Sequence, residues 1–179
     1  MESILSSWRL IMANTSFRNL TEDSKVIFFL GLSEKVLSVF SKKEDQILAQ
    51  EVICKCWEWL EDKENIGDIL YDILDNEENG ITIIQEISDN ETDIMAWNCI
   101  IDAVAYTSRK AFEREGVKYY PEPIALVDDT LVEHFIDCFG KCLKNSDIYI
   151  RRIDILLDDY KKGNIEPDLR TVILRELKI

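Results

Sequence analysis

Ala49-Gln50-Glu51-Val52-Ile53-Cys54-Lys55-Cys56-Trp57-Glu58-Trp59-Leu60 carries the repeat on which the fold class turns. Ala49, Val52, Ile53, Cys56, Trp57 and Leu60 recur at i, i+3, i+4, i+7, i+8 and i+11, the spacing that gathers side chains into one buried stripe of a helix. The same period returns along the chain. Trp97, Ile101, Val104, Ser108, Ala111 and Phe112 form a second stripe, and Leu131, Phe135, Cys138, Phe139 and Cys142 a third. Tyr149, Ile153, Leu156 and Tyr160 form a fourth, and a last helix starting at Pro167 buries Leu169, Val172, Ile173 and Leu177.

Segment 24–40 is apolar almost all round, through Val26, Phe28, Phe29, Leu30, Leu32, Val36, Leu37, Val39 and Phe40. A helix of that kind belongs at the centre of a bundle. Breaks fall at 41–43, 63–65, 76–80, 88–90, 117–123 and 163–167, all short, as between packed helices. In 81–87, Ile81, Ile83 and Ile84 suit a short strand, while Ile81, Ile84 and Ile87 suit a helical turn; helix is the favoured reading. No repeat of fixed period appears. The expectation is an all-α fold, a single globular domain over 1–179 with about eight helices.

An apolar fraction of 46% is ordinary for a globular chain. The first residues, Met1-Glu2-Ser3-Ile4-Leu5-Ser6-Ser7-Trp8-Arg9, lack a basic stretch followed by an apolar one, and no apolar run approaches about 18 residues. Neither a secretion signal nor a membrane span is expected. The cysteines are Cys54, Cys56, Cys99, Cys138 and Cys142; an odd number scattered through apolar stretches reads as reduced thiols in a cytoplasmic protein. On a helix Cys54 and Cys56 point about 200° apart, so they cannot clamp one metal, and the Cys138/Cys142 face is apolar. No cofactor is expected.

Charge is the most localised property. Between Glu58 and Asp93 stand thirteen acidic side chains and one basic one, so this segment holds twelve of the fourteen net negative charges. The rest of the chain, with 22 acids and 20 bases, is close to neutral. Concentrated carboxylates repel one another, and the field they make draws a cationic partner and speeds its encounter. Nucleic acid and anionic membrane are repelled by the same field, which leaves a basic protein surface as the expected partner.

Within this segment, Ile66, Ile69, Leu70, Ile73 and Leu74 are expected to bury one side of a short helix. Asp68, Asp72 and Asp75, at i, i+4 and i+7, then line the outer side, with Tyr71 adjoining and Glu77 and Glu78 following in the turn. Trp59 lies about 200° from Trp57, off the buried stripe, where the acidic run begins. Aromatic anchors beside a charged rim are the composition of a protein–protein hot spot. The candidate partner-binding residues are therefore Trp59, Asp68, Tyr71, Asp72, Asp75, Glu77 and Glu78; the alternative for Trp59 is packing beneath a neighbouring helix.

Three other constellations in the sequence bear on function. Asp75-Asn76-Glu77-Glu78-Asn79-Gly80-Ile81-Thr82-Ile83-Ile84-Gln85-Glu86 places Asp, Asn, Gly and Glu at positions 1, 5, 6 and 12 of an EF-hand-like loop. Against it, Glu77 stands at position 3, Thr82 at position 8, and no partner hand exists elsewhere. His134 precedes Cys138 by four residues, but a same-helix pair is poorly arranged around a substrate, and no orienting carboxylate is evident nearby. Arg109, Lys110, Arg114 and Lys118 are interspersed with Glu113 and Glu115 and lack stacking aromatics, which describes an exposed helix face. Phosphate-cradling glycine loops, H-E-x-x-H, C-x-x-C and glycine–serine elbows are missing, so no enzyme is expected.

Trp57-Glu58-Trp59-Leu60, Ile69-Leu70-Tyr71, Ala96-Trp97, Ala105-Tyr106, Ala111-Phe112 and the exit from Glu115-Gly116 to Pro121-Glu122-Pro123-Ile124 resemble immunity-protein family six of the bacterial polymorphic toxin systems. The resemblance covers roughly 48–135 and rests on spaced aromatics and small residues that determine a fold, so it transfers no binding residue. It implies an all-α cytosolic antidote that binds a cognate toxin domain and blocks its active site or substrate path. The leading expectation is thus a non-enzymatic immunity protein that occludes a basic toxin domain. A calcium-binding helical protein using 75–86 and a generic helical adaptor are the alternatives.

Overall fold

The all-round apolarity of 24–40 places its helix at the centre. Glu22–Val36 forms α1, opened by Thr21, whose hydroxyl accepts the Ser24 N–H at 3.2 Å, and nearly every residue from Ser24 to Val36 is buried. A 3₁₀ turn at Leu37–Val39 ends it. The computed structural model describes residues 16–163 and 168–179. The expected helix start at Pro167 and the run from Met1 to Arg9 lie outside the described residues.

The helices that follow are α2 (Lys43–Asp62), α3 (Gly67–Asp75), α4 (Ile81–Glu86), α5 (Glu91–Glu115), α6 (Glu122–Ala125), α7 (Leu131–Cys142), α8 (Ser146–Lys161) and α9 (Leu169–Glu176). The protein is all-α, 76% helical, with no strand among the described residues. Segment 81–87 accordingly begins as a helix, as the Ile81/Ile84/Ile87 spacing favours. No helix among the described residues is long and apolar enough to cross a membrane.

Two long helices organise the rest. At 25 residues α5 runs about 37 Å. It is opened by Asn90, whose Oδ1 accepts the N–H groups of Thr92 and Asp93 at 2.9 and 3.1 Å. α5 carries α3, α4 and α6, α1 carries α8 and α9, and α2 and α7 pack on both. Between α1, α5 and α7 lies an aromatic centre: Phe29 stacks on Tyr106 at 4.7 Å and meets Phe135 edge-on at 5.0 Å, with Phe17 edge-on to Phe28, Phe29 and Tyr106.

Charges buried in α1 are paired, as burial demands. Lys25 Nζ contacts Asp129 at 2.8 Å and Glu22 at 2.9 Å, and Arg170 reaches Glu34 at 2.8 Å. The stripe of α8 is rotated from its expected position. Ile150, Ile153 and Leu157 enter the core, Tyr149 and Leu156 are half-buried, and Tyr160 is 37% exposed. Both sets satisfy helical spacing; the position of α8 against α1 selects between them.

Candidate binding face

The acidic segment becomes one corner of the bundle, built on α5. α2 ends at Lys63, in the left-handed region at φ 56°, whose N–H donates to the Trp59 carbonyl at 2.8 Å. The chain then reverses, and α3 is pinned to α5 at its first residue. Gly67 N–H donates to Glu115 Oε1 at 2.8 Å, and the Ser108 hydroxyl donates to the Gly67 carbonyl at 3.0 Å. Only glycine fits there, because a Cβ would lie 2.7 Å from the Phe112 ring.

With Gly67, Leu70 and Leu74 turned to the core, helical geometry sets Asp68, Asp72 and Asp75 on the opposite side, and all three are exposed. Ile66 and Ile73 are half-buried, but Ile69, expected in the core, is 47% exposed. α3 presses α5 along a narrower arc than its apolar residues span. Ile69 and Tyr71 therefore flank the aspartate stripe on either side. Tyr71 is half-buried and donates its hydroxyl to Asp75 Oδ2 at 2.7 Å, a bond to a carboxylate that raises the phenol's pKa.

The turn at 76–80 is organised by Asn76, whose Oδ1 accepts the N–H groups of Glu78 at 3.0 Å and Asn79 at 3.3 Å. Its amide in turn donates to Asp72 Oδ1 at 3.1 Å. Glu77 and Glu78 project from this turn and are exposed. The structure thus brings together Asp68, Tyr71, Asp72, Asp75, Glu77 and Glu78, as expected, but not Trp59. Trp59 is 3% exposed, with Lys63 Nζ 4.3 Å from its ring centroid. Trp57 is buried as well, beside Arg170. The last turns of α2 are covered on two sides, so a residue off the main stripe is still in the core, and Trp59 has almost no surface to offer a partner.

The EF-hand alternative meets a different geometry. Helix α4 begins at Ile81, loop position 7, and Gly80 takes φ −61°, so the chain does not wrap a cation-sized space. Asp75, position 1, is engaged by Tyr71. Thr82, position 8, donates to the Leu74 carbonyl at 2.8 Å and ties α4 to α3. Among the described residues no cluster of three His, Cys, Asp or Glu side chains is arranged to hold a metal.

Charge pairing divides the surface. Among the described residues no ion pair involves any of the thirteen acids between Glu58 and Asp93; the one base of the segment, Lys63, reaches out to Asp23 at 2.8 Å. Two bases of α5, Arg109 and Lys110, are instead engaged internally. Arg109 binds Glu113 at 2.7 Å and stacks 4.1 Å from the Tyr120 centroid, and Lys110 binds Glu22 at 2.5 Å and Glu113 at 2.9 Å. With thirteen acids to one base, the acidic corner is the unbalanced part of the chain.

Sequence reasoning missed Asp102. His134 Nδ1 lies 2.7 Å from Asp102 Oδ2, and Nε2 lies 3.6 Å from Cys138 Sγ. The contact to Asp102 raises the imidazole pKa; burial raises that of Asp102 against the opposing pull of His134. Desolvation pushes Cys138 up to about 11, which keeps it a protonated thiol rather than a nucleophile. With Cys138 buried and unreactive, the trio is a cap over a buried carboxylate.

A family model, Immunity protein Imm6, matches residues 24–142, from α1 through α7, well over half of the chain. The chain belongs to the Imm6 immunity protein family. The match extends beyond the expected 48–135 at both ends and takes in α1, α5 and the whole acidic corner. Imm6 proteins are polymorphic-toxin immunity proteins, inhibitors and not enzymes, and a toxin is the partner the family implies. No curated protein and no solved structure matches the chain. Within this Imm6 protein the fold rests on α1 and α5, and α3 with its turn carries the charge.

Proposed function

We propose that this protein docks its acidic corner onto a basic surface of one cognate toxin domain and silences the toxin by occlusion, without chemistry of its own. The observation that carries the reading is the asymmetry of charge. Acids and bases are nearly balanced over the rest of the chain, 22 against 20, whereas Asp68, Asp72, Asp75, Glu77 and Glu78 stand exposed on one face with no ion pair among the described residues. Such a face carries a self-repulsion that a cationic partner relieves on binding. Tyr71 supplies aromatic contact area beside the charges. Toxins that cleave or modify nucleic acid need basic clefts to hold phosphates, and an acidic antidote complements one. The five free cysteines fit action in the reducing cytoplasm.

Co-expression with the C-terminal domain of the neighbouring gene tests the reading. A stable complex whose formation rescues growth supports it, and a neighbour that neither kills nor binds rejects it.

A further inference from the structure

α2 and the α3–α4 corner diverge along their outer edge and leave an open trough of about 820 Å³. Its floor is buried Val52 and Ile81, with half-buried Leu48 and Ile73 on the slopes and Ile47, 46% exposed, on the lip. The exposed carboxylates of Glu51, Glu58 and Asp72 stand along the rim, and none forms an ion pair with a described residue. Lys55 is the one base among the lining residues, so the rim is net negative.

Ile47, Glu51, Lys55 and Glu58 follow at i, i+4, i+8 and i+11 on one face of α2, so this wall extends about 16 Å. That length equals three helical turns. An extended peptide suits the trough poorly: both walls are helices, which offer no strand edge, so its backbone N–H and C=O groups would face the apolar slopes of Leu48 and Ile73 unsatisfied. A helix satisfies its own backbone and needs only an apolar face for the floor and positive charges for the rim. Enclosed small-molecule sites bury most of their ligand, whereas here Gln50, Glu51, Glu58 and Asn79 leave the space open to solvent.

We propose that the trough receives a cationic amphipathic helix of the partner protein, about three turns long, with aliphatic residues on Ile47, Leu48 and Ile73 and Lys or Arg side chains against Glu51, Glu58 and Asp72. The proposal rests on the toxin-binding reading and names the element that does the binding. It extends the interface from the outer side of α3 across its edge onto α2, including residues outside the stripe of Asp68, Asp72 and Asp75.

The test is photocrosslinking in the complex with the neighbouring gene's C-terminal domain. Benzoylphenylalanine replaces Ile47 in one variant and Ile155, 62% exposed on α8, in another. The expected result is at least a tenfold excess of adduct from position 47, on a peptide with two or more Lys or Arg at helical spacing. Glu51→Lys/Glu58→Lys, two exposed positions, is expected to weaken the complex tenfold or more with an unchanged circular dichroism spectrum. An intact wild-type complex whose adduct forms from position 155, from neither position, or from 47 onto a peptide without bases overturns the groove and leaves the inhibitor reading standing. A wild-type chain that forms no complex overturns both.

Discussion

Trp59→Ala separates a core residue from an interface anchor. The ring is 3% exposed, and emptying a buried aromatic site costs about 3–5 kcal/mol. The Lys63 ammonium 4.3 Å from the ring centroid adds about 0.5–1 kcal/mol. Against this, Trp59 Nε1 is buried without a hydrogen-bond partner among the described residues, so its removal returns about 1–3 kcal/mol. The balance is a loss of about 3 kcal/mol. A urea titration followed at 222 nm reads it as a midpoint lower by about 1 M, given a slope near 2–3 kcal/mol per molar. Trp59→Phe keeps a ring and deletes the unsatisfied donor, so it is expected to cost less than half as much. Once folded, the alanine variant dissociates from its partner at the parental rate. A midpoint within about 0.2 M of the parent, joined to faster dissociation, would refute the placement of Trp59 in the core.

Gly67→Ala forces a Cβ to 2.7 Å from Phe112 and is expected to cost about 1–3 kcal/mol, read as a lower midpoint in the same titration. The Asp102–His134 contact makes stability depend on pH. His134 titrates higher in the folded protein than its ordinary 6.5, so its contribution is complete below 6.5 and is lost as pH rises through the folded value. Thermal midpoints should accordingly fall as pH rises above about 6.5 in the parent, and His134→Gln should flatten that part of the profile. A slope that survives the substitution would assign the titration to another group. Asp68→Asn/Asp72→Asn/Asp75→Asn leaves exposed positions isosteric, so its urea midpoint should match the parent while partner association slows.

Helices and their central member were readable because burial of one stripe imposes a 3.6-residue period that survives in the residues. Segment 24–40 is apolar all round because α1 is covered all round. The failures share a cause: periodicity locates an apolar arc but not the neighbours that cover it. Trp59 reads as external on a helix with a single covered face, but α2 has two near its end. Ile69 looked internal because the arc of α3 is wider than its contact with α5. In α8 two overlapping stripes were equally regular, and only its seat on α1 distinguishes Ile150 and Leu157 from Tyr149 and Leu156. Asp102 is 32 residues from His134 in the chain, and nothing local announces their contact across α5 and α7. The acidic stripe was legible because an i, i+4, i+7 spacing opposite Leu70 and Leu74 needs no tertiary knowledge.

The most direct test of the acidic corner as the docking face is the association rate with the neighbouring gene's C-terminal domain, measured by stopped flow from about 0.02 to 0.3 M salt. The parent should associate fast at low salt and slow steeply as salt screens the field, while the Asp68/Asp72/Asp75 triple asparagine variant should start about tenfold slower with a flatter slope. Equal rates and equal slopes for the two proteins at low salt would contradict the account.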